Sequence, residues 1–176
     1  MKEQIISKLS EIEKEHNVKI LLAVESGSRA WGFPSPDSDY DVRFIYVHPP
    51  TWYLTVFKKR DVIEPAAEGL LDFSGWDLKK ALFLFRKSNP PLLEWIDSPM
   101  VYQKDDYFVE KMRELKVESF YPRPVIYHYL SMAEGNYRGY LRTEKVRLKK
   151  YFYVLRPLLS CYWLEPADLA NMGPVN

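Results

Sequence analysis

Two carboxylates lie two residues apart at the start of an apolar run in the first third of the chain. Asp39 and Asp41 flank Tyr40, and the run Tyr40–Val47 has the length and β-branched content of a strand. Side chains of a strand alternate between its faces, so both carboxylates are expected on the same side. A cation between them would relieve their repulsion, and hard oxygen ligands suit Mg²⁺ or Mn²⁺. The pair therefore predicts a divalent metal site.

A glycine turn precedes these acids. An apolar run over Val18–Glu25 predicts a first strand, which ends at Gly27-Ser28 and is followed by Arg29. Backbone N–H groups without a neighbouring β-carbon, a hydroxyl and a guanidinium together favour binding of anionic oxygens. An ordinary strand-to-loop turn is the structural alternative. Gly27, Ser28 and Arg29 are accordingly the predicted phosphate-binding residues.

The two features in sequence resemble a known signature. Gly27-Ser28 followed by Asp39-x-Asp41 on the next strand is similar to the motif of the DNA polymerase β nucleotidyltransferase superfamily. The longer run GSRAWGFPSPDSDYDVRFIYV resembles one branch, the nucleotidyltransferases associated with RNA repair and ligation. The resemblance implies a nucleoside triphosphate substrate, two Mg²⁺ (or Mn²⁺) ions as cofactors and an acceptor that includes RNA ends.

This resemblance also implies a third carboxylate on a neighbouring strand. Asp61, Glu64, Asp72 and Asp77 are the candidates. Asp72 is favoured because it lies in an apolar run just before a capped helix, as the third acid of the superfamily does, and Asp61 is second. Asp77 suits the start of that helix, where the helix dipole favours a negative charge. The predicted metal ligands and catalytic residues are therefore Asp39, Asp41 and Asp72.

The sequence leaves the roles of two sets of basic side chains undecided. Arg43 shares the face of the two acids in an ideal strand, where it either forms an ion pair with them or contacts a phosphate. Further along, helical spacing places Lys145, Lys149 and Arg156 on one face, with Lys150 beside them. This face either binds triphosphate or RNA backbone, or is simply solvated. Lys150 is the predicted nucleotide-binding residue of this group.

Composition narrows the class of protein. The chain has 176 residues, of which 47% are hydrophobic and 28% charged, and a net charge of +1. A net charge so close to zero gives no global attraction to nucleic acid, so any polyanion site must be local. The single cysteine, Cys161, rules out an intrachain disulfide and favours a reducing compartment. No run approaches the roughly 20 apolar residues of a membrane span, so we expect a cytoplasmic protein without a membrane partner.

Mixed strand and helix patterns in the first half, and helix patterns alone in the second, predict an α+β fold. Residues 1–100 are expected to form a small mixed-sheet, polymerase β-like nucleotidyltransferase core. Residues 101–176 are expected to form a C-terminal helical lobe packed on it. Relatives in the branch continue with further helix, so the sequence leaves open whether this lobe is truncated.

Further elements follow from periodicity and turn residues. The predicted helices cover 2–16, 76–87, 125–140 and 143–163, and a hairpin is expected between 51–57 and 61–64. A capping box from Ser74 to Asp77 is expected to start the helix over 76–87.

The leading functional hypothesis is metal-dependent transfer of a nucleoside monophosphate from a nucleoside triphosphate to an acceptor. The acceptor stays open among an RNA end, a protein hydroxyl and a small molecule. Two alternatives remain: a catalytically silent nucleotide- or RNA-binding module with the same fold, and a protein-modifying nucleotidyltransferase of a toxin-antitoxin pair.

Overall fold

The computed structural model describes residues 1–67 and 69–171, which form two compact units. Unit 1 contains Met1–Arg86 and Pro91–Glu118, and unit 2 contains Lys87–Pro90 and the chain from Ser119 onward. The first unit extends beyond residue 100, where the sequence analysis places the boundary, because a further strand and helix join it. Residues 172–176 of the predicted helical lobe lie outside the described residues.

Unit 1 is built on strands and short helices in alternation. Its elements are α1 (Lys2–His16), β1 (Lys19–Ser26), α2 (Gly27–Ala30), β2 (Tyr40–Val47), α3 (Pro50–Tyr53), β3 (Val62–Ile63), β4 (Leu71–Asp77), α4 (Leu78–Phe85), α5 (Pro90–Ile96), β5 (Val101–Lys104) and α6 (Asp106–Ser119).

The strands form one mixed sheet in the order β3-β4-β2-β1-β5. The central pair β2 and β4 is parallel, and the other neighbours are antiparallel. The parallel pairing needs a crossover between β2 and β4, and the chain from α3 to β3 supplies it. This mixed α+β architecture confirms the predicted fold class and is consistent with a polymerase β-like fold.

Helix α1 covers one face of the sheet. Alternation along β2 directs Val42, Phe44 and Tyr46 to this face, where all three are fully buried. The helix contributes Ile5, Leu9 and Ile12 at helical spacing to the same core cluster. The odd-numbered residues of β2, including Asp41 and Arg43, therefore face the opposite side of the sheet.

Two local predictions are wrong, and one strand was not predicted. Residues 51–57 do not pair as a hairpin: Pro50–Tyr53 is a short helix, and only Val62–Ile63 forms a strand, against β4. Ser74 does not cap a helix, because the strand continues to Asp77, which is itself the N-cap. The strand β5 was not anticipated, since its four residues lack the length that makes a period-2 pattern visible.

Gly75 in β4 lies at a core position where we expect substitution to lower stability. A β-carbon there would overlap the ring of Phe44, which is fully buried on β2. We expect Gly75→Ala to lower the free energy of unfolding by about 2 kcal/mol, because a close-packed ring must move. Urea unfolding measures this loss, with Gly135→Ala as the control, since in the described part of the chain no atom outside the helix's own backbone lies within 4 Å of a β-carbon at Gly135. Equal stability of the two variants would contradict the prediction.

Unit 2 contains the helices α7 (Pro122–Tyr140) and α8 (Leu148–Asn171), which contact each other. Asn136 Nδ2 donates to the Tyr153 carbonyl at 3.0 Å, and Val154 of α8 is buried. The second helix begins five residues later than predicted, so Lys145 precedes it and does not share a helical face with Arg156. That the helices form a lobe packed on the core stays a prediction.

Among the described residues, no helix combines the length and apolar character needed to cross a bilayer.

Candidate active site

The turn after β1 brings Gly27 against Asp41. Gly27 has φ 61°, a left-handed conformation that favours glycine. A β-carbon on Gly27 would lie 3.0 Å from Asp41 Cγ and overlap Asp41 Oδ2. Antiparallel pairing of β1 with β2, which sets Ser26 opposite Asp41, produces this contact. The predicted phosphate turn and one predicted metal ligand are thus direct neighbours.

The parallel pairing of β2 with β4 places Asp41 and Asp72 side by side. They are register partners, so both side chains project from the same face of the sheet. Arg43 Nη2 donates to Asp41 Oδ1 at 3.1 Å and to Asp72 Oδ2 at 2.7 Å. The side chains of Asp41 and Asp72 are 31% and 48% exposed, so a ligand from solvent has access to them. We call Asp41, Asp72 and Arg43 the carboxylate cluster.

Asp39 lies just before β2, and its carboxylate is exposed and has no partner in the part of the chain that is described. The loop that carries it is fastened by serines. Ser28 Oγ donates to Ser38 Oγ at 3.3 Å, and both residues are buried. Ser38 Oγ also accepts from the backbone N–H of Ser35 at 2.8 Å. Ser28 therefore positions the loop before Asp39.

Arg29 is held by the same loop. Its Nε donates to the Asp39 carbonyl at 3.0 Å, and its Nη2 donates to the Ser38 carbonyl at 2.7 Å. The guanidinium also lies 3.8 Å from the centre of the Tyr40 ring. These contacts fix the start of β2. The predicted binding of nucleotide by Arg29 stays a prediction.

Two of the remaining candidates for the third position, Asp61 and Asp77, lie away from the carboxylate cluster. Asp77 ends β4, five residues after Asp72, and its backbone N–H donates to the Asp61 carbonyl at 2.9 Å. Asp61 Oδ1 accepts from Lys80 at 3.3 Å. Glu64 lies beside the middle of β4, where it pairs with Arg60 and accepts from Ser74 Oγ at 3.4 Å. The structure thus sets Asp72 opposite Asp41 and places Asp61 and Asp77 at the other end of the strand.

Lys150 belongs to unit 2, on α8. Its ammonium lies 3.7 Å from the centre of the Tyr140 ring and 4.8 Å from that of Tyr153. Both contacts are cation–π interactions within the helix pair. The predicted role of Lys150 in nucleotide binding stays a prediction.

Glu25 is a further candidate that the sequence analysis does not single out. This glutamate is fully buried, its Oε1 accepts from the Asp41 backbone N–H at 2.9 Å, and its Oε2 accepts from the Tyr102 hydroxyl at 2.5 Å. Burial is the main cause that raises the pKa of Glu25. Its backbone carbonyl accepts from Ser98 Oγ at 2.7 Å. Glu25 therefore anchors the backbone of Asp41 from the core side of the sheet, and an acid at the end of a continuous apolar run is the signal that points to it.

The donor set determines which metal the site suits. Within residues 1–67 and 69–171, no three His, Cys, Asp or Glu side chains converge as a metal-binding group does. Two carboxylates do converge in the carboxylate cluster, and the guanidinium of Arg43 is the cation between them. The carboxylate oxygens of Asp41 and Asp72 are hard ligands, and hard oxygen ligands are the kind that Mg²⁺ and Mn²⁺ prefer.

Replacing Arg43 tests the charge balance of this cluster. We expect Arg43→Leu to lower the melting temperature in EDTA by a few degrees, about 1 kcal/mol, because Asp41 and Asp72 are left to repel each other. Millimolar Mg²⁺ is expected to raise the melting temperature more in this variant than in the wild type. Differential scanning fluorimetry measures both shifts, with Lys14→Leu, an exposed change on α1, as the control. The same Mg²⁺ response in all three proteins would contradict the prediction.

The mixed sheet and the paired carboxylates on β2 and β4, beside a glycine turn, define a polymerase β-like α+β protein. Comparison with known proteins is more specific: residues 1–174 match the family described as RlaP, the RNA repair pathway DNA polymerase beta family, and the chain belongs to it. Membership confirms the resemblance given above. It places the chain in a polymerase β-like family related to RNA repair.

One curated relative is the uncharacterized protein YcgL of Bacillus subtilis (strain 168). The two chains are 56% identical over 165 residues, which is 94% of this chain and 64% of the relative. The chain thus spans slightly less than two thirds of the length of that relative. No solved structure matches the chain significantly.

Proposed function

We propose that this protein transfers a nucleoside monophosphate from a nucleoside triphosphate to an acceptor, and that the acceptor is an RNA end. The observation that carries the proposal is the direct pairing of Asp41 with Asp72 across parallel strands, with Gly27 against Asp41. This arrangement sets two carboxylates beside a backbone turn suited to phosphate oxygens. Family membership supports the reaction class, and the association of the family with RNA repair supports the acceptor.

Asp39, Asp41 and Asp72 would hold two Mg²⁺ or Mn²⁺ ions. Bound there, the ions supply Lewis acidity for the reacting phosphate and lower the pKa of the attacking hydroxyl. Because Arg43 now pairs with both Asp41 and Asp72, loading of the site involves release of that ion pair. The freed guanidinium would then be available to the phosphates.

In the proposed reaction an acceptor hydroxyl oxygen forms a bond to the α-phosphorus of the triphosphate. The bond from that phosphorus to the bridging oxygen breaks, and pyrophosphate leaves with the electron pair. Asp72, the more exposed acid of the carboxylate cluster, accepts the proton of the hydroxyl. The Gly27-Ser28 turn steadies the triphosphate, and Glu25 keeps the Asp41 backbone in place. Positioning and charge stabilisation supply most of the rate.

The test is transfer of labelled nucleotide. The full chain is incubated with each α-labelled nucleoside triphosphate and a single-stranded RNA, with Mg²⁺ or with EDTA, and pyrophosphate release is followed in parallel. We expect label in the RNA and equimolar pyrophosphate with Mg²⁺ only. Isothermal titration that shows triphosphate binding without pyrophosphate release would favour the silent binding module. Label in a co-purified protein, with none in RNA, would favour the protein-modifying enzyme.

The same proposal places the protein in the cytoplasm, where nucleoside triphosphates and RNA are present.

A further inference from the structure

A second concave region of unit 1 is rich in lysine. A cavity of about 330 Å³ lies between the segment after α3 and the first turns of α4. That volume falls in the range of small-ligand sites. Four lysines line it, together with four aromatic residues: Lys58, Lys59, Lys79, Lys80, Trp52, Tyr53, Phe57 and Phe83.

The acids in this cavity are already engaged by the protein. Asp77 Oδ1 accepts from the backbone N–H of Lys79 at 2.8 Å, and Asp77 Oδ2 accepts from the Tyr53 hydroxyl at 2.7 Å. Asp61 is paired with Lys80 at 3.3 Å. The two carboxylates of the wall are thus held by neighbours, which leaves the other cations of the wall with an excess positive charge.

Two of those cations are available to a ligand. Lys59 donates to the Trp52 carbonyl at 3.1 Å and lies over the Trp52 ring. Among the described residues, the ammonium groups of Lys58 and Lys79 have neither a hydrogen-bond nor an ion-pair partner, and both are exposed. A chain with a net charge of only +1 therefore concentrates free positive charge at this cavity.

Exposed aromatic rings stand beside these lysines. Phe57 is 79% exposed and Phe83 is 50% exposed. Phe83 also lies under the guanidinium of Arg86, 5.6 Å from the ring centre, so this wall presents aromatic rings and cations together. Single-stranded nucleic acid is a ligand that uses both, because its phosphates pair with lysines and its bases stack on aromatic rings. A concave site favours a strand over the flat surface of a bilayer.

The cavity also lies on the strand that carries Asp72. Five residues separate Asp72 from Asp77 on β4, which is about 16 Å at the rise of a strand. A bound segment of a few nucleotides covers that distance, and sites for single strands begin at about four nucleotides. Strand alternation directs Asp77 and Asp72 to opposite faces of the sheet, so a strand held in the cavity would reach the carboxylate cluster only by passing around the edge or end of the sheet.

We propose that this cavity binds a single-stranded nucleic acid, with its phosphates at Lys58 and Lys79 and its bases against Phe57 and Phe83. Use of the bound strand as the acceptor rests on the nucleotidyl transfer proposed above, whereas the binding itself does not.

Fluorescence anisotropy with a labelled single-stranded RNA of 12 nucleotides tests the site, in EDTA and without triphosphate. We expect the variant with Lys58→Ala and Lys79→Ala to bind at least tenfold more weakly at 50 mM salt. The slope of log K against log salt should fall by about 1.4, since each lysine contributes about 0.7 for a single strand. The control carries Lys2→Ala and Lys14→Ala, which remove the same charge from α1, and it should bind as the wild type does.

A second variant separates stacking from charge. The variant with Phe57→Ala and Phe83→Ala is expected to weaken binding about tenfold with an unchanged salt slope, because no charge is lost. Circular dichroism shows that each variant is folded. If the lysine variant binds RNA as well as its α1 control does, the proposal is overturned. The same holds if the lysine variant loses binding to vesicles containing phosphatidylserine but keeps its affinity for RNA.

Because these measurements need no turnover, a protein that binds RNA in this way but transfers no nucleotide would overturn only the proposed function. A protein that transfers nucleotide with unchanged RNA affinity in the lysine variant would overturn only the site.

Discussion

Asp41→Asn is expected to reduce nucleotidyl transfer on the order of 10³-fold, with the fold retained. The substitution keeps the size of the side chain but removes the negative charge beside Gly27 and Asp72. An amide is a weak ligand for a hard cation, so both the proposed metal site and the charge stabilisation that it would supply are lost. Label incorporation into RNA at saturating Mg²⁺ measures the effect, and circular dichroism monitors the fold.

Asp39→Asn and Asp72→Asn are expected to cause losses of similar size, because each removes a carboxylate from the proposed metal site. The matched control is Asp106→Asn, the same chemical change at the exposed start of α6, which should leave transfer unchanged. Near-parental transfer by Asp39→Asn or Asp41→Asn would show that the mechanism is wrong. Retention of activity in Asp72→Asn together with loss in Asp61→Asn would give the third position to Asp61.

Gly27→Ala is expected to lower transfer roughly 100-fold through displacement of Asp41. The new β-carbon would overlap Asp41 Oδ2, so the carboxylate must move away from the turn or the turn away from the strand. Either movement separates the phosphate turn from the carboxylate cluster. The left-handed conformation adds a cost of about 1 kcal/mol to folding for any residue other than glycine.

Gly32→Ala separates these two effects. Gly32 also has a positive φ, 83°, but no atom of the described residues lies within 4 Å of a β-carbon placed on it. It therefore carries the backbone strain of the Gly27 variant without the overlap. We expect Gly32→Ala to keep transfer within a few-fold of the wild type while it loses similar stability. If both variants lose transfer equally, backbone strain in the loop is the cause, and the close contact with Asp41 is not.

The hydrophobic periodicity of the sequence was sufficient to predict the bounds of two long elements of unit 1. The predicted helix over 2–16 and strand over 40–47 have the bounds of α1 and β2, because each buries one continuous stripe of side chains. Short elements were missed for the opposite reason. Strand β5 has four residues and is defined by its pairing with β1, and α3 has four residues and begins at the second of two prolines. Contacts with distant segments decide such elements.

The residues of the candidate site divide in the same way, into those identified from the local sequence and those that depend on contacts with distant segments. Asp41 and the Gly27 turn were identified from residue types and spacing on adjacent stretches. The choice of Asp72 depended on the resemblance and stays a prediction; the register of β2 with β4 sets it opposite Asp41. Glu25 was missed, because its hydrogen bonds to the Asp41 backbone and to Tyr102 depend on antiparallel pairing and on packing from 77 residues away.

The sequence by itself determined which residues could do chemistry and the family to which the chain belongs. Those properties reside in a local run of residues, where a glycine, two acids and the strand period are read directly. Only the tertiary structure decided that Asp72 lies beside Asp41, that Arg43 bridges them and that lysines and phenylalanines meet around one cavity. The register between strands is set by burial of the whole sheet, which no single stretch of sequence specifies.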